Sequence, residues 1–284
     1  MPDSSASEAA LQYLEHCYEI PKNLIFPLPD EDFIDEWERW LQGRFDFPGA
    51  ITEILKTDKV SCWIEKTAAG RIPVAYVSER SSFERLYAIF TVKASAFNLP
   101  LSVNAFTVPV KLPEMSGHRV ILLNKSGYSA LSGNDAGIPE DDWVEKSAVI
   151  RLRHECCHYF TLRALGGMKN HILDEIVADC IGQLAALGSF SASLQRKFFG
   201  LSDDGQFIKD GGRLMFYVKK LPFEAVPIVC RHLNEALDAL ETYLDNNSEM
   251  RDIENEPDLV IKLASAGIRG IKNMEMTKAK CLLP

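Results

Sequence analysis

Two histidines four residues apart, His154 and His158 in the stretch "RHECCHY", flank a carboxylate, Glu155. On a helix each residue advances about 100°, so the two imidazoles lie about 40° apart, one turn above the other, and both reach one metal ion. Cys156 falls about 200° from His154, and Cys156 and Cys157 diverge by about 100°. A structural zinc site built on cysteine uses pairs spaced along turns, which adjacent cysteines do not offer. The thiols therefore read as small apolar packing residues. Glu155 sits beside the ligand pair and off the ion, where a base acting on water would stand.

Sixteen residues after His158 comes "DEIVADCIG". Ile172, Leu173, Ile176, Val177, Cys180, Ile181 and Leu184 form one apolar stripe. Glu175 and Asp179, spaced i and i+4, share a different face. Glu175 can supply a third metal ligand, and Asp179 can accept the N–H of a ligand histidine and fix its tautomer. Asp174 or Asp179 as the third ligand is the alternative.

The pattern His154-Glu155-x-x-His158 followed by Glu175-x-x-x-Asp179 resembles the gluzincin metallopeptidases, the thermolysin-like group, with no particular subfamily recognisable. The resemblance implies Zn²⁺ held by His154, His158 and Glu175, Glu155 as general base, and Asp179 orienting a histidine. A metzincin pattern fails, because its third histidine would fall at Ala164 and its glycine at Thr161. Asn104-Ala105-Phe106 is similar to the N-A-F of the substrate-binding edge strand in that group, which marks Asn104 and Ala105 as substrate-binding candidates. Thermolysin-like enzymes take an oxyanion donor from their C-terminal part; Tyr217, Arg213 and His232 are the candidates here.

These residues need elements to hold them. "PEDDWVEKSAVIRLRHECCHYFTLRALGG" predicts a helix starting near Pro139–Asp141 and stopping at Gly166-Gly167. The next helix begins at an Asn cap, Asn170. Ahead of them, 59–65 and 71–78 read as a hairpin, 101–108 and 118–124 as further strands, and 81–99 as a helix capped by Ser81. Helices are expected at 5–18 and 30–42 and, beyond residue 188, near 190–199, 208–220, 223–245 and 256–274, with a polar loop over 245–258. The expected fold is α+β and zincin-like: a small twisted sheet on the HExxH helix, then a mostly helical C-terminal part. By pattern the chain divides into a helical segment 1–58, a core 59–188 carrying the metal-binding helices, and a helical subdomain 189–284.

With 284 residues, 46% hydrophobic, the chain can bury a large core. A net charge of −9 argues against nucleic acid or an anionic membrane as partner. No apolar run approaches a membrane span, the N-terminus has no secretory pattern, and seven scattered cysteines fit reduced thiols. "CLLP" does not end as a prenylation box does. The expected location is cytoplasmic, and the expected partner a peptide or protein substrate. The leading expectation is a zinc hydrolase cleaving peptide bonds. The alternatives are a catalytically inactive zincin-fold protein binding a partner around a structural or regulatory metal, and a metal-free helical protein.

Overall fold

Ala6, Ala10 and Leu14 recur at helical spacing and are buried along helix α1 (Ser4–Leu14). The structure is a computed structural model that describes residues 4–92, 99–167, 169, 171–207 and 212–274. It forms two compact units, Asn23–Gly166 and Met1–Lys22 with Gly167–Pro284. These do not follow the pattern-based segments 1–58, 59–188 and 189–284. α1 packs on helices more than two hundred residues later, a pairing no local pattern records, which places residues 1–22 with the C-terminal helices.

In Asn23–Gly166, helix α2 (Ile34–Leu41) begins with Asp35 and Glu36 in its first turn and buries Ile34, Trp37 and Trp40. Helix α3 (Gly49–Leu55) follows, then the hairpin β1 (Val60–Thr67) and β2 (Gly70–Val77). Helix α4 (Arg80–Thr91) starts after an extended Glu79, so Ser81 lies inside its first turn rather than at its cap. Val92, left-handed at φ 52°, ends it; the expected continuation over 93–98 lies outside the described residues. Strands β3 (Ala105–Pro109) and β4 (Arg119–Asn124) complete one mixed sheet in the order β1-β2-β4-β3. β2 and β4 are parallel and the other two pairs antiparallel. β3 starts later than expected because Val103 N–H bonds back to Pro100 O in a turn.

Register sorts the two faces. Ala75 and Leu122 are cross-strand partners and join the aromatic core of α2, α3 and α4. Val74, Ile121 and Thr107 align on the opposite face, where the Thr107 hydroxyl meets the long helix described next. Val120 to Leu123 are all buried, as in a strand covered on both sides. After the short helix α5 (Gly133–Ala136), helix α6 (Glu140–Ala164) has three carboxylates in its first turn and Arg163 in its last. Gly166, at φ 73°, follows it where the Gly-Gly signal predicted a stop.

The other unit is helical: α7 (Ile172–Leu187), α8 (Ala192–Phe199), α9 (Leu214–Val218), α10 (Val226–Asp245) and α11 (Glu256–Lys272), with α1. α11 packs on α7 and α10, and α1 on both α10 and α11. Gly267, at φ 66°, kinks α11, and a Cβ there would sit 2.7 Å from His16 O. Of the expected helix at 208–220, 208–211 lie outside the described residues and α9 covers only Leu214–Val218. The polar 245–258 loop contains two 3₁₀ turns. The chain is thus α+β, with a small mixed sheet and a helical C-terminal part. No helix among the described residues is long and apolar enough to cross a membrane, and the six described cysteines are free thiols.

Candidate metal centre

Helix α6 presents His154 and His158 as buried neighbours, with ring centroids 4.5 Å apart and planes at 90°. A ligand nitrogen of each lies within 4.8 Å of the other's. The one-turn spacing expected from i,i+4 is what the helix delivers. Cys156 and Cys157 are buried.

Glu155 is also buried, and its Oε2 accepts a 2.8 Å hydrogen bond from Thr107 Oγ1. The same hydroxyl stands 3.1 Å from the Glu155 carbonyl. β3 thus holds the Glu155 carboxylate through one hydroxyl. It is an edge strand of the sheet, so the order β1-β2-β4-β3 leaves one side of its backbone without a strand neighbour among the described residues. Ala105 opens this strand. Asn104 uses its side chain on the preceding loop, accepting from Arg80 Nη1 at 2.7 Å and donating to Leu101 O.

A residue that sequence reasoning missed contacts His154. The Tyr128 hydroxyl lies 2.9 Å from His154 Nδ1. Its turn carries two consecutive left-handed residues, Ser129 (φ 55°) and Ala130 (φ 60°), a conformation that costs of order 1–3 kcal/mol for each non-glycine residue. Nothing in "KSGYSAL" announces such a turn; glycine content marks a loop and no more. Gly127 is required there, because a Cβ would stand 2.2 Å from Leu131 O.

The carboxylates on α7 have surroundings of their own. Every residue from Ile172 to Leu184 is buried, and Glu175, Asp179 and Gln183 repeat every four residues along one side. Arg213, buried, donates Nη1 to Glu175 Oε2 at 3.3 Å and Nη2 to Asp179 Oδ2. Asp179 Oδ2 also accepts from Gln195 Nε2 at 2.6 Å, and Gln183 donates to Gln195 at 2.8 Å. The Phe198 and Phe199 rings lie 5.9 Å from the guanidinium. Tyr217 hydrogen-bonds Glu175; burial first, then the Glu175 charge, pushes its hydroxyl pKa far up, so it stays an O–H donor. His232 lies apart from this set, 3.6 Å from Glu235 on α10.

The start of α7 differs from the expected Asn cap, since Asn170 lies outside the described residues. His171 caps the helix, its Nδ1 accepting from Leu173 N–H at 3.1 Å. Its ring stacks on Tyr13 with centroids 4.1 Å apart. Tyr18 donates to Asp174. α1 and the segment after it thereby tie down the turn that carries Glu175.

The model of DUF7005, a family of unknown function, matches residues 104–274, more than half of the chain. The chain belongs to this family. No curated protein matches it, and no solved structure does. The DUF7005 match begins one residue before β3 and ends past α11. One family unit therefore includes the strand, the His154–Glu155–His158 helix and the Glu175–Asp179 helix.

Proposed function

We propose that this chain is a zinc-dependent hydrolase of the gluzincin type that cleaves peptide bonds. His154, His158 and Glu175 are its metal ligands and Glu155 its general base. The observation that carries the reading is Glu155: a buried carboxylate next in the helix to the first of two buried, ligand-capable histidines and held by Thr107 from an edge strand. A metal kept for structure alone has no use for a base there, which disfavours the inactive partner-binding alternative.

The donor set fits the ion. Two imidazoles and one carboxylate are the ligand complement of a catalytic zinc with an open fourth position. The His154 Nδ1 partner, Tyr128, leaves Nε2 as the coordinating atom. Zinc in this set would supply Lewis-acid activation of water and of the scissile carbonyl.

The chain's own residues do the rest. Glu155 takes the proton of the attacking water and delivers it to the leaving amine. Thr107 keeps that carboxylate in place while the proton moves. The free side of β3, beginning at Ala105, aligns an extended peptide as an added strand. Tyr217, the donor expected from the C-terminal part, would have to turn its hydroxyl from Glu175 to serve the developing oxyanion. In this reading the fold is zincin-like, the sheet lying on the base-bearing helix.

The test is a peptide library incubated with zinc-loaded protein, with products mapped by mass spectrometry beside Glu155→Gln. Defined cleavages that fall by about 10²–10⁴-fold in the variant, with zinc content unchanged, are the expected result. Equal cleavage by both proteins, or none by wild-type, would contradict it.

A further inference from the structure

A single stripe of α6 holds the turn over 126–131 and ends at His154. Trp143, Ser147, Arg151 and His154 follow one another at intervals of four, four and three residues, the spacing of one helix face. Each grips the turn. Trp143 Nε1 donates to Leu131 O at 2.9 Å, and Ser147 Oγ accepts from Tyr128 N–H at 2.9 Å. Arg151 Nη2 donates to Ser126 Oγ at 2.8 Å and to Gly127 O at 2.7 Å, and its guanidinium lies 5.7 Å from the Tyr128 ring centre. The fourth contact is the Tyr128 hydroxyl on His154 Nδ1.

Ser147 and Arg151 are 0% and 1% exposed, and Tyr128 5%, so these contacts are made away from water. Such a turn, with Ser129 and Ala130 both left-handed, does not form by intrinsic preference; it is held in place by its surroundings. What the arrangement achieves at its end is the placement of one hydroxyl on one ring nitrogen.

We propose that Tyr128 is the positioning residue of His154. Its oxygen accepts the Nδ1–H, fixing the ring in the tautomer whose Nε2 lone pair is available to a metal. This rests on reading His154 as a metal ligand. It assigns to a neutral phenol the orienting task that the sequence pattern gave to the Asp179 carboxylate. A neutral acceptor adds no negative charge beside the ligand set, whereas a carboxylate in contact with the ring would.

The experiment combines two readouts on wild-type and Tyr128→Phe, which keeps the ring under Arg151 and removes the hydroxyl. Long-range ¹H–¹⁵N NMR of the metal-free full chain, with the His154 signals assigned by His154→Gln, reports the tautomer. The expected wild-type result is the Nδ1–H form, with the variant moving toward a mixture. Zinc affinity, measured by competition with a chelator of known strength, is expected to fall by about 10–100-fold in the variant. An Nε2–H tautomer in the wild type would overturn the proposal. So would a variant with unchanged tautomer and unchanged affinity.

If the wild-type chain takes up no zinc, the hydrolase reading fails, while the tautomer measured on metal-free protein still decides the role of Tyr128. Should Tyr128→Phe not fold, the wild-type tautomer decides it.

Discussion

Arg213→Met removes the guanidinium that donates to two buried carboxylates, Glu175 and Asp179, and puts an unbranched apolar side chain in its place. At an effective dielectric constant of about 20, one unit charge pair near 4 Å is worth about 4 kcal/mol. Arg213 faces two such partners, Glu175 and Asp179. Against that gross attraction stands the desolvation of the charge on Arg213, a residue only 8% exposed, several kcal/mol by itself. The net worth of the intact cluster is therefore small, but breaking it is not symmetrical. Methionine withdraws the guanidinium from both buried carboxylates, and Asp179 is 0% exposed.

Loss of one partner from such a set costs about 3–5 kcal/mol. Gln195 still donates to Asp179 after the change, which places the expectation at the lower end, about 3 kcal/mol. Arg213→Lys, a single point donor unable to span two carboxylates, is expected to lose about half of that. Adding Asp179→Asn to Arg213→Met should recover at least about 1 kcal/mol, because one uncompensated charge is removed. Urea unfolding of metal-free protein at pH 7 measures all three. A loss below about 1 kcal/mol for Arg213→Met would put the cluster on the scale of a surface ion pair and refute the reasoning.

Thr107→Val removes the hydroxyl on Glu155 with little change in volume; a hydrogen bond to a charged group sets the expected loss at about 2 kcal/mol. Thr107→Ser should retain most of the stability, and equal unfolding midpoints for Val and Thr would rule out the contact. His171, whose imidazole burial, then the nearby His16, pushes down to about 4, caps α7 in its neutral form. The unfolded chain, with an ordinary pKa near 6.5, binds a proton between about pH 6.5 and pH 4 that the folded chain refuses, so stability falls as pH drops through that window. His171→Asn keeps a capping side chain and has no such titration: it should lose a pH-independent increment from the Tyr13 stacking but show a shallower acid slope. Parallel slopes in urea melts at pH 7 and pH 4.5 would contradict this.

The parts legible in the sequence are those set by local spacing. The interval of four between His154 and His158 fixed their common face before any fold was known, and the acidic start and Gly-Gly end bounded α6 to within a residue or two. The hairpin followed from two β-branched runs and a short turn. Long-range packing was not legible: α1 lies against α10 and α11, a pairing that no local pattern encodes. Thr107 could not be tied to Glu155 without the register that turns it toward α6. Tyr128 was hidden because its turn contains two left-handed non-glycine residues and is held by contacts from Trp143, Ser147 and Arg151 across the fold. Arg213 was legible as a cation near the site but not as the partner of Glu175 and Asp179, since their meeting requires α7 and the start of α9 to be folded together.

The most direct measurement is the elemental metal content of the full chain purified without chelator, wild-type beside Glu175→Ala. One zinc per chain in the wild type, lost or much weakened in the variant, is the result expected of a His154–His158–Glu175 site. No zinc in the wild type even after reconstitution, or a variant that holds it as tightly, would contradict the account.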